Sequence, residues 1–580
     1  MPDLSEWRVF GKKADFNSIA RNFGIDMVTS RVIRNRDVIG DENIRRFIRA
    51  DMADLYDPFL MKGMDRAVAI LKNKITYRRK IRIIGDYDID GVCSTTILMN
   101  ILTSLGADAD YDIPDRMKDG YGINQRLIDL ALEDGIDTII TCDNGIAAFA
   151  QTEYAREKGL TVIITDHHEI PYKEENGKKI YIIPPADAVI NPHQNDCEYP
   201  FKELCGAGVV YKLGAALGIS DEVMEMNLKF AAIATIGDVV DLKDENRILV
   251  KNGLKAINKS ENSDAGGDDL TYNNGLAALI RETGIKGNKL ASYHVGFIIG
   301  PCINAGGRLG SAKTGVKLFL SKDPRESAEI AMDLASLNAE RKEMTLRKTK
   351  EAIDIVETTM KEDRVIVVYL PDCHESVAGI VAGRLKEYFY RPSFVVTRGA
   401  EGAKGSGRSI EGYEMYEELN KCAGLLSRFG GHAMAAGFSL PVENIDSFRK
   451  KLNEEQNLTD ADLTKTVWID VPMPGSYVTE KLIGELNELE PFGKGNPRPV
   501  FADRNMRITE KKLLGKNQNL YKLILSGSDG KVLKAIKFKA EGETDMPEVG
   551  SLINILYYPE INEYNGYRSI QLNIIDYREI

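Results

Sequence analysis

Three short apolar runs, Ile81–Ile84, Thr138–Thr141 and Val162–Thr165, each give way at once to acidic and polar residues. The first enters Gly85-Asp86-Tyr87-Asp88-Ile89-Asp90-Gly91, the second Cys142-Asp143-Asn144-Gly145, the third Asp166-His167-His168-Glu169. Helical patterns are expected between and after them, at 92–105, 124–134 and 146–158. Continuous apolar strands alternating with helices predict a buried parallel sheet. In open α/β sheets ligands bind outside the carboxyl ends of the strands. The acids and histidines of the three runs should therefore converge, although they are far apart in sequence.

Three carboxylates at alternate positions repel one another, at a cost that a cation or a set of donors must offset. Hard divalent cations take oxygen ligands of this kind. Asp86, Asp88, Asp90, Asp143, His167, His168 and Asp238 make an oxygen-rich set with imidazole and without thiolate. That donor set favours Mn²⁺ or Mg²⁺ over structural zinc. So many carboxylates predict two cations, and a cation pair suits phosphoester hydrolysis by activating water and neutralising charge at phosphorus. Asp238 lies in the apolar stretch Ala231–Val240; a helix cap or a hydrogen-bonded buried carboxylate explains it as well as a ligand does. The chain has only six histidines. All but His294 stand beside glycine, acid or proline.

A run without Gly or Pro, 325–370, contains one long helix at 325–360 that reads as a connector. A second α/β segment follows at about 363–455. Its Gly405-Ser406-Gly407-Arg408-Ser409 and Phe429-Gly430-Gly431-His432-Ala433 let backbone amides approach an anion. Upstream, Asn304-Ala305-Gly306-Gly307-Arg308 adds a guanidinium suited to phosphate. The tail from about 463 has short strands with Gly, Asn and Asp turns, which predict a small barrel.

A chain of 580 residues exceeds one core. The expected divisions are a helical lead-in at 1–75, an α/β domain at 76–325, the connector at 326–360, a smaller α/β domain at 361–457 and the barrel at 463–580. A surface loop is expected at 262–274. The net charge of −11 speaks weakly against a nucleic-acid partner, but a local basic groove is compatible with it. Seven dispersed cysteines without a CxxC pair argue against a disulfide framework and a zinc site. No apolar run is long enough for a bilayer and no signal peptide is read, so no membrane association and a cytoplasmic location are expected.

Asp166-His167-His168 with Gly85–Gly91 upstream resembles the DHH/DHHA1 phosphoesterase superfamily. Within it the chain is most similar to the RecJ family of single-stranded-DNA-specific 5′→3′ exonucleases. Thr141–Ile146, Asp238, Pro301–Arg308, His374-Glu375 with Gly379–Ala382 and Arg384, and Glu490-Pro491-Phe492-Gly493 carry the resemblance further. It implies a DHH domain, a DHHA1 domain and an OB-fold. It implies two cations, Mn²⁺ first and Mg²⁺ second, held by Asp86, Asp88, Asp90, Asp143, His167 and Asp238. Asp88, Asp143 and His168 would carry the chemistry. Arg116, Tyr121, Arg308, Ser406, Arg408 and His432 would contact substrate, the first two gripping the 5′ end. The implied partners are single-stranded DNA, a RecQ-type helicase and a single-strand-binding protein, for a monomeric enzyme of DNA repair and recombination.

Two positions depart from the family pattern: Cys302 replaces an arginine and Asp241 a proline. Two other readings stay open. One is a DHH phosphoesterase of short oligoribonucleotides or cyclic dinucleotides; the other is an inactive single-stranded-DNA-binding scaffold.

Overall fold

The strands Ala109–Asp112, Ile81–Ile84, Thr138–Cys142, Thr161–Thr165 and Ala188–Ile190 lie side by side in that order, all parallel. Their apolar residues face both ways. Ile81, Ile83, Ile140 and Ile163 enter one core with the helices Met64–Thr76, Ile89–Ser104 and Gly206–Leu217. Ile84, Ile139, Val162 and Ile164 enter another, under the helices Gln125–Glu133 and Phe149–Glu157. Burial on both faces is why these strands read as unbroken apolar runs. The second strand in sequence lies to one side of the first, and the third to the other. A crevice opens at such a reversal, here between Ile84 and Cys142.

The computed structural model describes residues 5–116, 118–175, 178–261, 272–285, 289–399, 402–515, 518–539, 545–564 and 566–580. The loop expected at 262–274 lies mostly outside them; Asn274 begins a helix that ends at Glu282.

The helix Pro324–Thr359 has 36 residues and is about 54 Å long. Its start is fixed by Asp323, which accepts from the Arg325 amide at 2.9 Å, and by Pro324 in the first turn. Ile330, Ala331 and Leu334 belong to the first core, whereas Ala352 and Val356 belong to the core of the next body. One rod therefore shares two cores. The second body is a sheet in the order Arg428–Gly431, Ala435–Leu440, Gly402–Arg408, Ser393–Gly399, Ile366–Tyr369. Phe394 and Val396 face the helix Ile445–Glu455, and Val395 faces the helix Glu375–Phe389.

The C-terminal body is a barrel built on Phe501–Leu514, Leu520–Ser526, Val532–Phe538, Leu552–Tyr564 and Tyr567–Glu579. It closes where Phe501–Arg507 pairs with Leu552–Tyr557 and where Lys534–Ile536 runs parallel to Gln571–Asn573.

The lead-in is not one helical unit. Glu6–Val9 is a strand, paired in parallel with Thr466–Ile469. Val28, Val32, Ile33, Ile44 and Phe47 pack in the barrel's core, whereas Met61, Met64, Ala67 and Leu71 pack on the first sheet. Arg36 and Asp470 form a bidentate pair at 2.7 and 3.0 Å, each side chain 3% exposed. A strand formed from partners more than 450 residues apart has no local signal, which is why the sequence pattern shows helices alone.

Candidate active site

Asp86 follows the first strand and is buried. Asp88 caps the next helix, its Oδ1 accepting from the amides of Asp90 at 2.9 Å and Gly91 at 3.2 Å. Asp90, in that helix's first turn, accepts from the amides of Gly206 at 2.7 Å and Ala207 at 2.8 Å. Those amides begin another helix, where N–H groups lack intrahelical partners. Residue 206 must be glycine, because a Cβ there would lie 2.7 Å from that of Asp143.

Asp143 has φ 60°, a left-handed conformation that Asp tolerates. The buried Asn144 amide fixes this turn, donating to the carbonyls of Ile84 at 3.0 Å and Cys142 at 2.9 Å. After the third strand, buried Asp166 accepts from the amides of His167, His168 and Ile146 at 2.8, 3.2 and 2.9 Å. It also bonds His168 Nδ1 at 2.7 Å. Asp238 stands at the C-terminal cap of the helix Asp221–Gly237.

These turns bring the predicted acids and imidazoles together. His167 Nε2 lies 3.2 Å from Asp143 Oδ1, 3.7 Å from Asp90 Oδ2 and 3.8 Å from Asp238 Oδ2. Ligand atoms of Asp90, His167 and Asp238 lie within 4.8 Å of one another, and so do those of Asp86, Asp88 and Asp143. Asp143, His167 and His168 form a third such group, so Asp143 and His167 link the two sides.

Burial and then neighbouring negative charge raise every one of four carboxyls. Asp86 and Asp143 are pushed well above the carboxylate range, Asp90 to about 6 and Asp238 to about 8. Burial, reinforced by the charge of His168, lowers His167 to about 3. Burial opposes charge on His168 too, but the hydrogen bond and charge of Asp166 prevail and hold it at about 9. Asp86 Oδ1 is buried with no hydrogen-bond partner among the described residues.

Carboxyls raised from about 3.9 in the unfolded chain bind more protons folded than unfolded. Their contribution to the stability of the metal-free protein is present at low pH and is lost as pH rises through about 6 to 8. The Tm difference between Mn²⁺-loaded and EDTA-treated protein should therefore grow between pH 6 and pH 8. A difference that stayed flat or shrank would contradict this assignment.

Opposite the acids stand three guanidiniums. Arg116 lies 4.8 Å over the Tyr87 ring. Arg308 donates to the Ser376 carbonyl of the second body. Arg408 donates to the Gly407 carbonyl at 2.7 Å. A Cβ at Gly379 would lie 2.9 Å from Arg408 Nη2, so the glycine makes room for that side chain. Burial and the charges of Arg116, Arg341 and Arg408 lower Arg308 to about 10; burial and Arg116 lower Arg408. Like charges drawn this close form a site for an anion. Ser406 lines the same cleft with Arg116, Lys404 and Arg428. The Tyr121 hydroxyl donates to the Asp143 carbonyl at 2.7 Å and lies 3.3 Å from His168 Nδ1. His432 is placed differently: it is exposed at a hairpin turn, its amide donating to the Ala435 carbonyl at 2.8 Å. Arg428 and Phe429 of the preceding strand line the cleft instead.

Sequence reasoning assigned no role to Asp166, though it opens the Asp-His-His run that was its signal. Asp166→Ala should lower hydrolysis about 10- to 100-fold, as loss of a partner orienting a site histidine does, with little change in strand affinity. Hydrolysis at the unaltered rate would contradict that role. The amides of Gly206 and Ala207 left no signal, because backbone donors are invisible in sequence. At the two departures, Cys302 is buried and accepts from the Asn338 amide at 3.2 Å, inside the packing of the long helix. Asp241 pairs with Lys243 at 2.9 Å and Lys494 at 3.8 Å, beside the Leu242 amide that donates to the Lys494 carbonyl at 2.8 Å. The barrel's approach segment thus holds the chain just after Asp238.

Family models match three stretches: the DHH family N-terminal domain at 80–237, the DHHA1 domain at 362–457 and the RecJ OB domain at 469–576. The single-stranded-DNA-specific exonuclease RecJ of Haemophilus influenzae is 33% identical, over 95% of this chain and 95% of its own. The chain belongs to the RecJ family. The RecJ of Bacillus subtilis is 38% identical over 96% of this chain and 69% of its own length. The crystal structure of Thermus thermophilus RecJ in complex with Mn²⁺ superimposes with a TM-score of 0.82 at 27% identity, covering all of this chain and 80% of the other. The same RecJ in complex with Mg²⁺ gives 0.76 at 26% identity, over 99% and 78%. The parallel-sheet, DHHA1 and OB-type bodies described above are thus the RecJ architecture. No helix among the described residues is long and apolar enough to cross a membrane.

Proposed function

We propose that this RecJ-family chain is a metal-dependent exonuclease that hydrolyses single-stranded DNA from the 5′ end to 5′-mononucleotides, in DNA repair and recombination. The observation that carries the reading is the pair of groups Asp90–His167–Asp238 and Asp86–Asp88–Asp143, linked through Asp143 and His167 and facing Arg116, Arg308 and Arg408 across one cleft. The family membership supports it, and the extra barrel disfavours a phosphoesterase of short substrates. A complete ligand set disfavours an inactive scaffold.

The residues fit divalent cations. Among the described residues Asp86 carries a buried oxygen without a partner, and burial together with neighbouring negative charge raises four carboxyls. Asp90, His167 and Asp238 would hold one ion; Asp86, Asp88 and Asp143 would hold the other. Bound there, Mn²⁺ or Mg²⁺ supplies activation of water and charge neutralisation at the attacked phosphorus. The remaining work falls to the chain. His168, kept protonated by Asp166, donates to a phosphate oxygen. Arg308 and Arg408 bind phosphates, with Ser406 beside them. Arg116 and Tyr121 hold the 5′ end against the acids, so that the strand stops with its first phosphodiester in place. The barrel binds the trailing strand. His432, on its exposed turn, is a contact for phosphate farther along. We propose a cytoplasmic monomer supplied with single strands by a RecQ-type helicase and a single-strand-binding protein.

The test is digestion of a 5′-labelled single strand with and without Mn²⁺, beside a blunt duplex. Early release of labelled mononucleotide from the single strand alone, and only with metal, is expected. Release beginning at the 3′ end would overturn the reading.

A further inference from the structure

Residues 238–361 fall outside all three family-model matches. Within them, Ser292–Leu309 is one continuous helical rod with a π-helical segment at Val295–Ile299. π-helical turns recur at functional sites. One end of the rod reaches the cleft. Gly307 packs on the Tyr87 carbonyl, where a Cβ would lie 2.3 Å away, and Arg308 is one of the three guanidiniums. The other end reaches the barrel's approach, where the Ser292 hydroxyl donates to the Phe492 carbonyl at 2.6 Å.

Between these ends the rod carries two large aromatics whose rings lie mostly in solvent. Tyr293 and Phe297 are 62% and 65% exposed. Their rings stack on each other, centroids 4.9 Å apart and planes 27° apart. The segment's own anchors lie on the opposite side, with Val295 and Ile299 buried. Phe297 is eleven residues from Arg308, about 16 Å along the rod. Beyond Tyr293, on the barrel side, Arg498 lies over the rings of both Phe492 and Tyr558, at 5.5 and 4.6 Å. Lys494 stands by Asp241, which follows Asp238. A pair of exposed rings with a guanidinium toward either end, between a phosphate cleft and a barrel, matches what an unpaired polynucleotide offers: π-faces and phosphates in alternation.

We propose that Tyr293 and Phe297 form a base-stacking platform for the single strand on its way from the metal cluster to the barrel. The proposal rests on the nuclease reading above and adds to it a contact outside the three matched domains. Stacking on such a ring is tolerant of sequence, because every base has a π-face. The platform would therefore add length-dependent affinity without base preference.

The test uses the full chain in EDTA, so that nothing is hydrolysed. Oligodeoxynucleotides of increasing length are titrated, and 2-aminopurine is scanned along a long strand. Wild-type protein should quench the probe within one window of positions. Phe297→Ala and Tyr293→Ala together should abolish that quench and reduce the affinity advantage of long over very short strands on the order of 10- to 100-fold. Phe297→Trp should keep both. An unchanged length advantage, or a quench that survives the double replacement, would overturn the platform and leave the pair as a surface for some other partner. Failure of the wild-type protein to bind single strands at all would instead overturn the nuclease reading.

Discussion

Replacing Asp143 by Ala should lower nucleotide release on the order of a thousandfold or more, because it would remove charge from the proposed paired-cation site, whose electrostatics would supply most of the rate. Asp143 carries this weight because its ligand atoms group both with Asp86 and Asp88 and with His167 and His168. Strand affinity should hold, since the phosphate contacts proposed above come from Arg116, Arg308, Arg408 and the barrel. Alanine is less tolerant than Asp of the φ of 60° at this position. Asp143→Asn is therefore the companion variant: it keeps the turn and loses the charge. Both should lose hydrolysis, and both should lose most of the Mn²⁺-induced rise in Tm. Equal loss of strand binding in both variants would mean that Asp143 shapes the cleft and does not serve the chemistry.

The second large effect is on stability. Asp470→Ala should cost about 3–5 kcal/mol, because Arg36 would be left charged and buried without its partner. The pair is 3% exposed on each side, and Asp470 also accepts from the Asn35 amide at 3.0 Å and the Val500 amide at 3.1 Å. The chain has only two tryptophans, Trp7 and Trp468. Both lie on the strand pair beside this site, so intrinsic tryptophan fluorescence follows this body without interference from the other two. Urea unfolding read that way should show the midpoint fall. The double replacement Arg36→Met with Asp470→Leu should recover much of the loss, since an apolar pair leaves no orphaned charge. A midpoint unchanged in Asp470→Ala would show that water reaches Arg36.

The first sheet and its acid-bearing strand ends were legible in sequence because a strand buried on both faces writes an unbroken apolar run. The long helix was legible for a similar reason, as a run without Gly or Pro. Asp86, Asp88, Asp90, Asp143 and His167 stand out by residue type at strand ends that the sheet brings together, whereas Asp238, equally readable as a helix cap, arrives at the end of the helix Asp221–Gly237. What could not be read depends on partners distant in the chain or on backbone atoms. The strand Glu6–Val9 exists only because Thr466–Ile469 accepts it. The charge of Asp90 is met by two amides at a helix start whose sequence, Cys205-Gly206-Ala207, carries no polar signal. Glycine-rich segments are ambiguous too: in Gly405-Ser406-Gly407-Arg408 the Cβ positions of both glycines are occupied by core side chains, whereas His432 sits exposed in the hairpin turn after the strand Arg428–Gly431.

The union of the lead-in with the barrel has a consequence for how the molecule comes into being. Val28, Val32, Ile33 and Phe47 leave the ribosome hundreds of residues before the strands that cover them. Ser5 finds Asp576 across 571 positions. Loop closure over such a span adds little to the equilibrium cost, but it sets an order of events. The two α/β bodies, whose contacts are more local, fold while the chain's early segment still waits with an apolar face uncovered. The segment made early is sealed last, and a nascent chain stalled before residue 500 would carry a formed metal cleft beside an unprotected amphipathic arm.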